Sequence, residues 1–411
     1  MNVEEELNKI WNNELQDTFT KKIDSIIKKT GDKFQSKLNS FGEDMMKKMD
    51  NIFNIAEREK LKRKMNKCRS LDYNKKNNLL NTVLICLANI EEFIFLFIGS
   101  EKTNVLKKLN ENNKNNYFSL FIELIDNLWM KNNKNDKCDS NKILNQLEKL
   151  DNNIFKSKKA AEILSFFLTK LHKEMNFNNN ANDINNNRKV NTYIEDEVLK
   201  NFIENNEKNQ TKISKIFFVN YGIIKTCEQK VPIFIYEQKP IVNLYIQEES
   251  KLSIIKKGLF KQLSISENFF FLLNNTNEEI IEYCDICGCD QNHIITNTIN
   301  NFTNDILIIN LDRENDPYRE RNIVYPKKLK LKLKDDKTVN FDLISVLKDN
   351  FSEENIDLDK RKYKAYCKNF LDEKWYEYGD EENIKLVIDE EEFLDSENAL
   401  LLIYKKSKNI N

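Results

Sequence analysis

Apolar residues recur every fourth position near the start of the chain. Trp11, Leu15, Phe19, Ile23 and Ile27 form one stripe, Gly31 interrupts it, and Phe34, Leu38, Phe41, Met45, Met49 and Ile52 resume it. This period gives a helix one apolar face, so residues 3–66 read as helical. The pattern ends in a basic run, Arg58 to Arg69, short enough to read as a solvated helix face rather than a nucleic-acid patch. Residues 70–175 continue mainly helical. Val83, Leu84, Leu87 and Ile90 line one face, and a later helix, Lys158 to Met175, buries Ile163, Leu164, Phe167, Leu168 and Leu171. Asn110–Asn116 and Lys131–Asp136 read as loops, and Asn176 to Asn191 as a low-complexity, disordered insert.

Beyond residue 212 the period shortens to two. Ile216 to Val219, Ile233 to Tyr236, Val242 to Ile246, Ile306 to Leu311 and Leu329 to Leu333 read as strands. Phe341 to Leu347, Tyr363 to Lys368, Lys374 to Tyr378 and Leu400 to Tyr404 extend the series. A helical half followed by a strand-rich half predicts an α+β fold, with no internal repeat.

Composition narrows the function classes. The chain has 411 residues, enough for two or three domains or for one large domain with an appendage. Lys+Arg 65 against Asp+Glu 66 leaves a net charge of -1, which gives no general pull toward nucleic acid or membrane, and direct nucleic-acid binding is not expected. No apolar run approaches the ~18 residues of a membrane span, Ile94 to Gly99 being the most apolar stretch. Met1 to Leu7 is acidic and lacks a signal-peptide layout. With 8 Cys and no such layout, reduced thiols in nucleus or cytoplasm are expected. Gly 7 and Pro 4 fall far below the ~29 and ~20 of average usage, so glycines that a site needs are open to loss. The two histidines, His172 and His293, are the only candidates for an imidazole base.

Eight segments, in order, carry a resemblance. Ser70 to Leu87 aligns without a gap on G-L-x-N-L-G-N-T-C-Y-M-N-S-x-L-Q-x-L. Ser157 to Leu164 aligns on Q-Q-D-A-H-E-F-L, and Leu171-His172-Lys173-Glu174 on L-H-E-E. Asp305 to Arg313, Tyr325 to Leu329, Arg361 to Tyr366, Trp375 to Glu381 and Ala399 to Tyr404 follow L-x-I-x-L-K-R, F-P-x-x-L, G-H-Y-x-A-Y, W-Y-x-F-[DN]-D and A-Y-x-L-x-Y. These are the boxes of the ubiquitin-specific proteases, cysteine deubiquitinases, which the chain resembles over residues 68–406. The resemblance implies a papain-like fold with a helical thumb at 67–210, β-rich fingers and palm at 211–408, the Asn-rich insert 176–191 within it, and a helical N-terminal extension at 1–66.

It also implies what is missing. The family's nucleophilic cysteine falls on Asn78, whose carboxamide forms no thiolate. The base histidine falls on Lys362, protonated at neutral pH at an ordinary lysine pKa. The orienting Asp/Asn falls on Gly379, and the oxyanion-binding asparagine on Tyr73. Cys86, two helical turns past Asn78, reads as a buried apolar residue, and His172 as structural. No catalytic residue is therefore expected. Many family members hold a structural zinc on two C-x-x-C knuckles. Cys284 and Cys287 resemble one knuckle, Cys227 half of the other, and Cys289 or His293 is available as the fourth donor, with a metal-free finger the alternative.

Lys75, Asn77, Asn81, Val83 and Leu84, with the Leu164–Leu168 and Lys374–Glu377 segments, are similar to the inactive branch of the family, a splicing factor of the spliceosomal tri-snRNP. Three roles are open: a pseudoenzyme scaffold in a large complex such as the spliceosome or proteasome, a ubiquitin receptor that binds weakly without cutting, and an active ubiquitin carboxyl-terminal hydrolase.

Overall fold

The computed structural model describes residues 55–65, 68–71, 77–109, 116–130, 137–138, 141–176, 195–226, 232–245, 263–264, 277–284, 288–301, 304–312, 323–332, 338–349, 362–379, 384–394 and 398–407. The expected N-terminal helices up to residue 54, Tyr73, Cys227, Cys287 and the insert from residue 177 to 191 lie outside the described residues. The chain divides into two units, Met1–Lys64 and Met65–Asn411. In the first, residues 55–62 are helical.

The second unit begins with helices. They are α1 (Asn78–Ala88), α2 (Glu91–Ile94), α3 (Gly99–Lys108), α4 (Tyr117–Ile125), α5 (Asn141–Leu150), α6 (Ala160–Met175), α7 (Glu195–Lys208) and α8 (Lys212–Phe217). α1 is buried along almost its whole circumference, Asn78 and Leu80 through Ala88 included. This differs from the one-faced helix that its apolar spacing predicts: α6 and strands of the sheet pack around it. An aromatic cluster fills the space between the helices. Phe93 and Phe97 lie 4.9 Å apart by ring centroids, Phe93 and Phe121 5.2 Å, and Phe121 and Phe167 5.4 Å, all four side chains being fully buried.

Polar contacts fix the helix ends. Glu174 near the end of α6 accepts the backbone N–H groups of Tyr117 and Phe118, both at 2.9 Å, at the start of α4. His172 Nδ1 is 2.8 Å from Thr211 Oγ1. Thr211 in turn forms a reciprocal capping box with Ser214 at the start of α8. That box corrects the expected strand at Ile216 to Val219: the chain is helical through Phe217, and β3 (Val219–Thr226) begins only after Phe218.

Two sheets follow. The larger runs in the order β15-β14-β13-β12-β16-β9-β5, with β11 also on β12. Its strands are β5 (Val242–Tyr245), β9 (Ile306–Asp312), β11 (Lys328–Lys332), β12 (Thr338–Asp349), β13 (Tyr363–Lys368), β14 (Trp375–Tyr378), β15 (Lys385–Leu386) and β16 (Ala399–Lys406). β5 pairs with β9 in parallel, and the remaining neighbours are antiparallel. The second sheet is an antiparallel β4-β3-β8-β7 ribbon of β3, β4 (Pro232–Lys239), β7 (Asn277–Cys284) and β8 (Cys289–Asn301). The β7–β8 hairpin has no counterpart in the alternation read from the sequence. Leu307, Ile309, Phe341, Val346, Leu402 and Tyr404 form the sheet's core, and α1 lies against β12 and β13. Helices segregated from antiparallel-rich sheets make the fold α+β, as predicted.

Candidate functional site

Asn78 opens α1, with 7% of its surface exposed. The Thr82 hydroxyl donates to the Asn78 carbonyl at 2.7 Å and lies 3.4 Å from its Oδ1, while the buried Nδ2 has no hydrogen-bond partner among the described residues. Lys362 is half-buried and immediately precedes β13, the strand against which α1 packs. Gly379 follows β14, which pairs with β13. A Cβ built on Gly379 would stand 3.4 Å from Lys364 Cγ, and Lys364 is held across the strands by Glu377 at 2.9 Å. The first helix and two neighbouring strands thus carry all three described positions, and an amide, an amine and a bare backbone occupy them.

Three thiols cluster between α1 and β13. Cys68, Cys86 and Cys367 are at most 1% exposed. Cys367 lies 3.2 Å from Ser345 Oγ, and burial, reinforced by neighbouring Cys86, pushes its thiol well above the ordinary range. Asn89 Nδ2 approaches Cys68 Sγ at 3.6 Å. Tyr378, buried beside Cys68 and Cys367, is raised likewise. A thiol so held is neutral at pH 7 and shielded from solvent, the opposite of a nucleophile. His172 sits on the Phe218 ring at 5.0 Å between centroids, and burial, with a smaller push from Lys173, lowers it to about 4. It is neutral at pH 7 and supports the α8 cap.

The metal expectation maps onto the β7–β8 hairpin. Cys284 and Cys289 are register partners at its tip, across the turn in which Gly288 adopts φ +71. Cys289 is exposed. Thr226, the residue before Cys227, pairs with Ile294, next to His293. Among the described residues no group of three or more His, Cys, Asp or Glu converges to hold a metal, and Cys227 and Cys287 lie outside them.

A groove of about 580 Å³ lies between the start of α6 and the end strands β5 and β9. Ile241, Leu311 and Leu400 give it an apolar floor, and Lys159, Lys170 and Lys239 line it. The sequence reading missed the groove because its walls come from residues far apart in the chain. The one local signal was Lys159, which stands where the Q-Q-D-A-H-E-F-L box has its acid.

A helical half whose first buried helix lies on a mixed sheet, joined to a separate antiparallel ribbon, has the architecture of the ubiquitin-specific protease class. The sequence matches the family of ubiquitin carboxyl-terminal hydrolases over residues 72–404, and the chain belongs to that family. Among solved structures it is similar to the yeast SAGA DUBm with a mutant Sgf73, at TM-score 0.57 and 15% identity, covering 83% of this chain and 68% of that one. The SAGA Ubp8/Sgf11/Sus1/Sgf73 DUB module bound to ubiquitin aldehyde matches at TM-score 0.56 and 15% identity, over 83% and 70%. The same module with a Ubp8 variant and monoubiquitin matches at 0.57 and 14%, over 83% and 69%. No curated protein matches the sequence.

Proposed function

We propose that this chain is a catalytically silent ubiquitin carboxyl-terminal hydrolase that serves as a protein-binding scaffold. The observation that carries this reading is Asn78: the first residue of α1 is a buried carboxamide where the family's chemistry needs a thiolate. Lys362 as an ammonium accepts no proton, and Gly379 orients nothing. Among the described thiols Cys68, Cys86, Cys138 and Cys367 are buried, and the exposed Cys289 belongs to the separate β7–β8 ribbon, which argues against any of them standing in for the missing sulfur. A hydrolase that has lost nucleophile, base and orienter together loses orders of magnitude in rate. Its folded body remains, and the structural neighbours, in which Ubp8 sits in a multi-subunit module and with ubiquitin, support a role in holding proteins together. The agreement of Lys75, Asn77, Asn81, Val83 and Leu84 with the inactive splicing branch supports a nuclear assembly of the tri-snRNP type as the place to look first.

The test is incubation of the purified chain with a fluorogenic ubiquitin C-terminal amide and with a ubiquitin-based thiol electrophile. Neither turnover nor labelling is expected. Fluorophore release that disappears on substituting one cysteine would establish the second reading, an active hydrolase, which the family membership itself favours.

A further inference from the structure

We propose that Cys284 and Cys289 form a redox modification site, a thiol pair that hydrogen peroxide closes into a disulfide across the tip of the β7–β8 hairpin. The two residues are opposed in the antiparallel register, as the last pair before the turn. Opposed Cα atoms in such a ladder stand about 4.5 or 5.5 Å apart, according to whether the pair exchanges hydrogen bonds. A disulfide accepts Cα separations of about 4.4–6.8 Å, so either kind of pair closes without moving the backbone. Access favours the same place. Cys289 is exposed, and a Cβ added at neighbouring Gly288 would meet no atom within 4 Å. The other described thiols, Cys68, Cys86, Cys138 and Cys367, are buried, so a dissolved oxidant meets Cys289 first.

The chemistry balances on these two sulfurs and one peroxide. Cys289, as thiolate, attacks a peroxide oxygen. The O–O bond breaks, Cys289 becomes a sulfenic acid, and the departing hydroxide is protonated to water. Cys284 then attacks the sulfenic sulfur. The S–S bond forms, the S–O bond breaks, and a second hydroxide leaves and takes up the thiol proton. Two thiols give up two electrons and two protons, and one peroxide becomes two waters. A dithiol reverses the step by exchange. A closed zinc site needs four donors, whereas a disulfide needs only this register pair. The bond has a mechanical effect. β7 is the outer strand of its ribbon and, among the described residues, pairs with β8 alone. A cross-link at Cys284 fastens the end of that strand against fraying. None of this depends on whether the chain cleaves ubiquitin.

The full chain, reduced and then treated with a chelator, should be exposed to micromolar hydrogen peroxide and its remaining thiols alkylated. Intact mass is expected to fall by two hydrogens, with two fewer alkylated cysteines, and a dithiol should restore both. Cleavage before Asp285 should leave the fragment ending at Cys284 disulfide-linked to the one carrying Cys289, with Cys287 alkylated. Cys284→Ser and Cys289→Ser should each abolish the link and Cys287→Ser should leave it, with unchanged melting curves showing that the variants fold. Amides of β7 should exchange more slowly in the oxidised protein. The proposal is overturned if Cys287 carries the link, if Cys289→Ser leaves the thiol loss unchanged, or if peroxide yields only sulfinic acid or cross-linked dimers.

Discussion

Thr82 donates its hydroxyl to the backbone carbonyl oxygen of Asn78 at 2.7 Å, one turn earlier in α1, beside a side-chain amide nitrogen that is buried with no acceptor among the described residues. An unsatisfied buried donor costs about 1–3 kcal/mol. The position is thus worse for stability than a small apolar residue would be.

Asn78→Ala should therefore stabilise the protein by about 1 kcal/mol, since it removes the orphan donor and places the best helix former at the start of α1. Denaturant unfolding checks this. A lowered midpoint at unchanged slope would show that the amide is satisfied in solution.

Asn78→Cys alone should remain unlabelled by a ubiquitin electrophile, because Lys362 offers no base and Gly379 no orienter. Adding Lys362→His and Gly379→Asp should produce labelling. The new Asp has room, its Cβ meeting Lys364 Cγ at an ordinary 3.4 Å. Labelling of the single variant would mean that another group activates the thiol.

His172 gives acid sensitivity a defined window. Its folded value, lowered to about 4 by burial, lies below the ordinary 6.5. The neutral ring is therefore the folded form, and unfolding takes up close to one proton between those values. Its contribution is complete above pH 6.5 and is lost as pH falls toward 4. Stability curves for wild type and His172→Asn, which has no proton to gain, should converge in slope above that window and diverge within it. Parallel curves throughout would assign the acid sensitivity elsewhere.

Lys405 on β16 reaches Glu91 at 2.8 Å and Glu92 at 2.6 Å, tying the last strand to α2. Burial works against its charge, but the two carboxylates outweigh that and raise its pKa. Removing the cation leaves two adjacent carboxylates without its balancing charge, so Lys405→Met should cost about 3 kcal/mol, and combining it with Glu91→Gln and Glu92→Gln should recover most of the loss. Equal stability of single and triple variants would deny the coupling.

The strands of the large sheet were legible because their alternation reflects one buried face: Tyr363 to Lys368 is β13 residue for residue. The β7–β8 hairpin was not, because on β7 apolar Ile281 and Tyr283 are 79% and 63% exposed, against the rule by which apolar positions mark a buried face. Ile216 misled for a different reason. Its apolar run suits either period, and the Thr211–Ser214 capping box decided for a helix. The helix and strands that carry Asn78, Lys362 and Gly379 followed from local pattern, since α1, β13 and β14 each present a regular apolar period. The groove was not, since pairing Lys159 with Lys239 needs the tertiary fold.

β16 lies in the interior of its sheet, hydrogen-bonded to β12 on one side and β9 on the other. A nascent chain emerging from the ribosome cannot close this sheet until residues 399–406 have cleared the exit tunnel. Until then β12 and β9 present raw edges across a gap, a state prone to aggregation and open to chaperones. A premature stop a few codons upstream of Ala399 would therefore remove the keystone of the sheet rather than trim a tail.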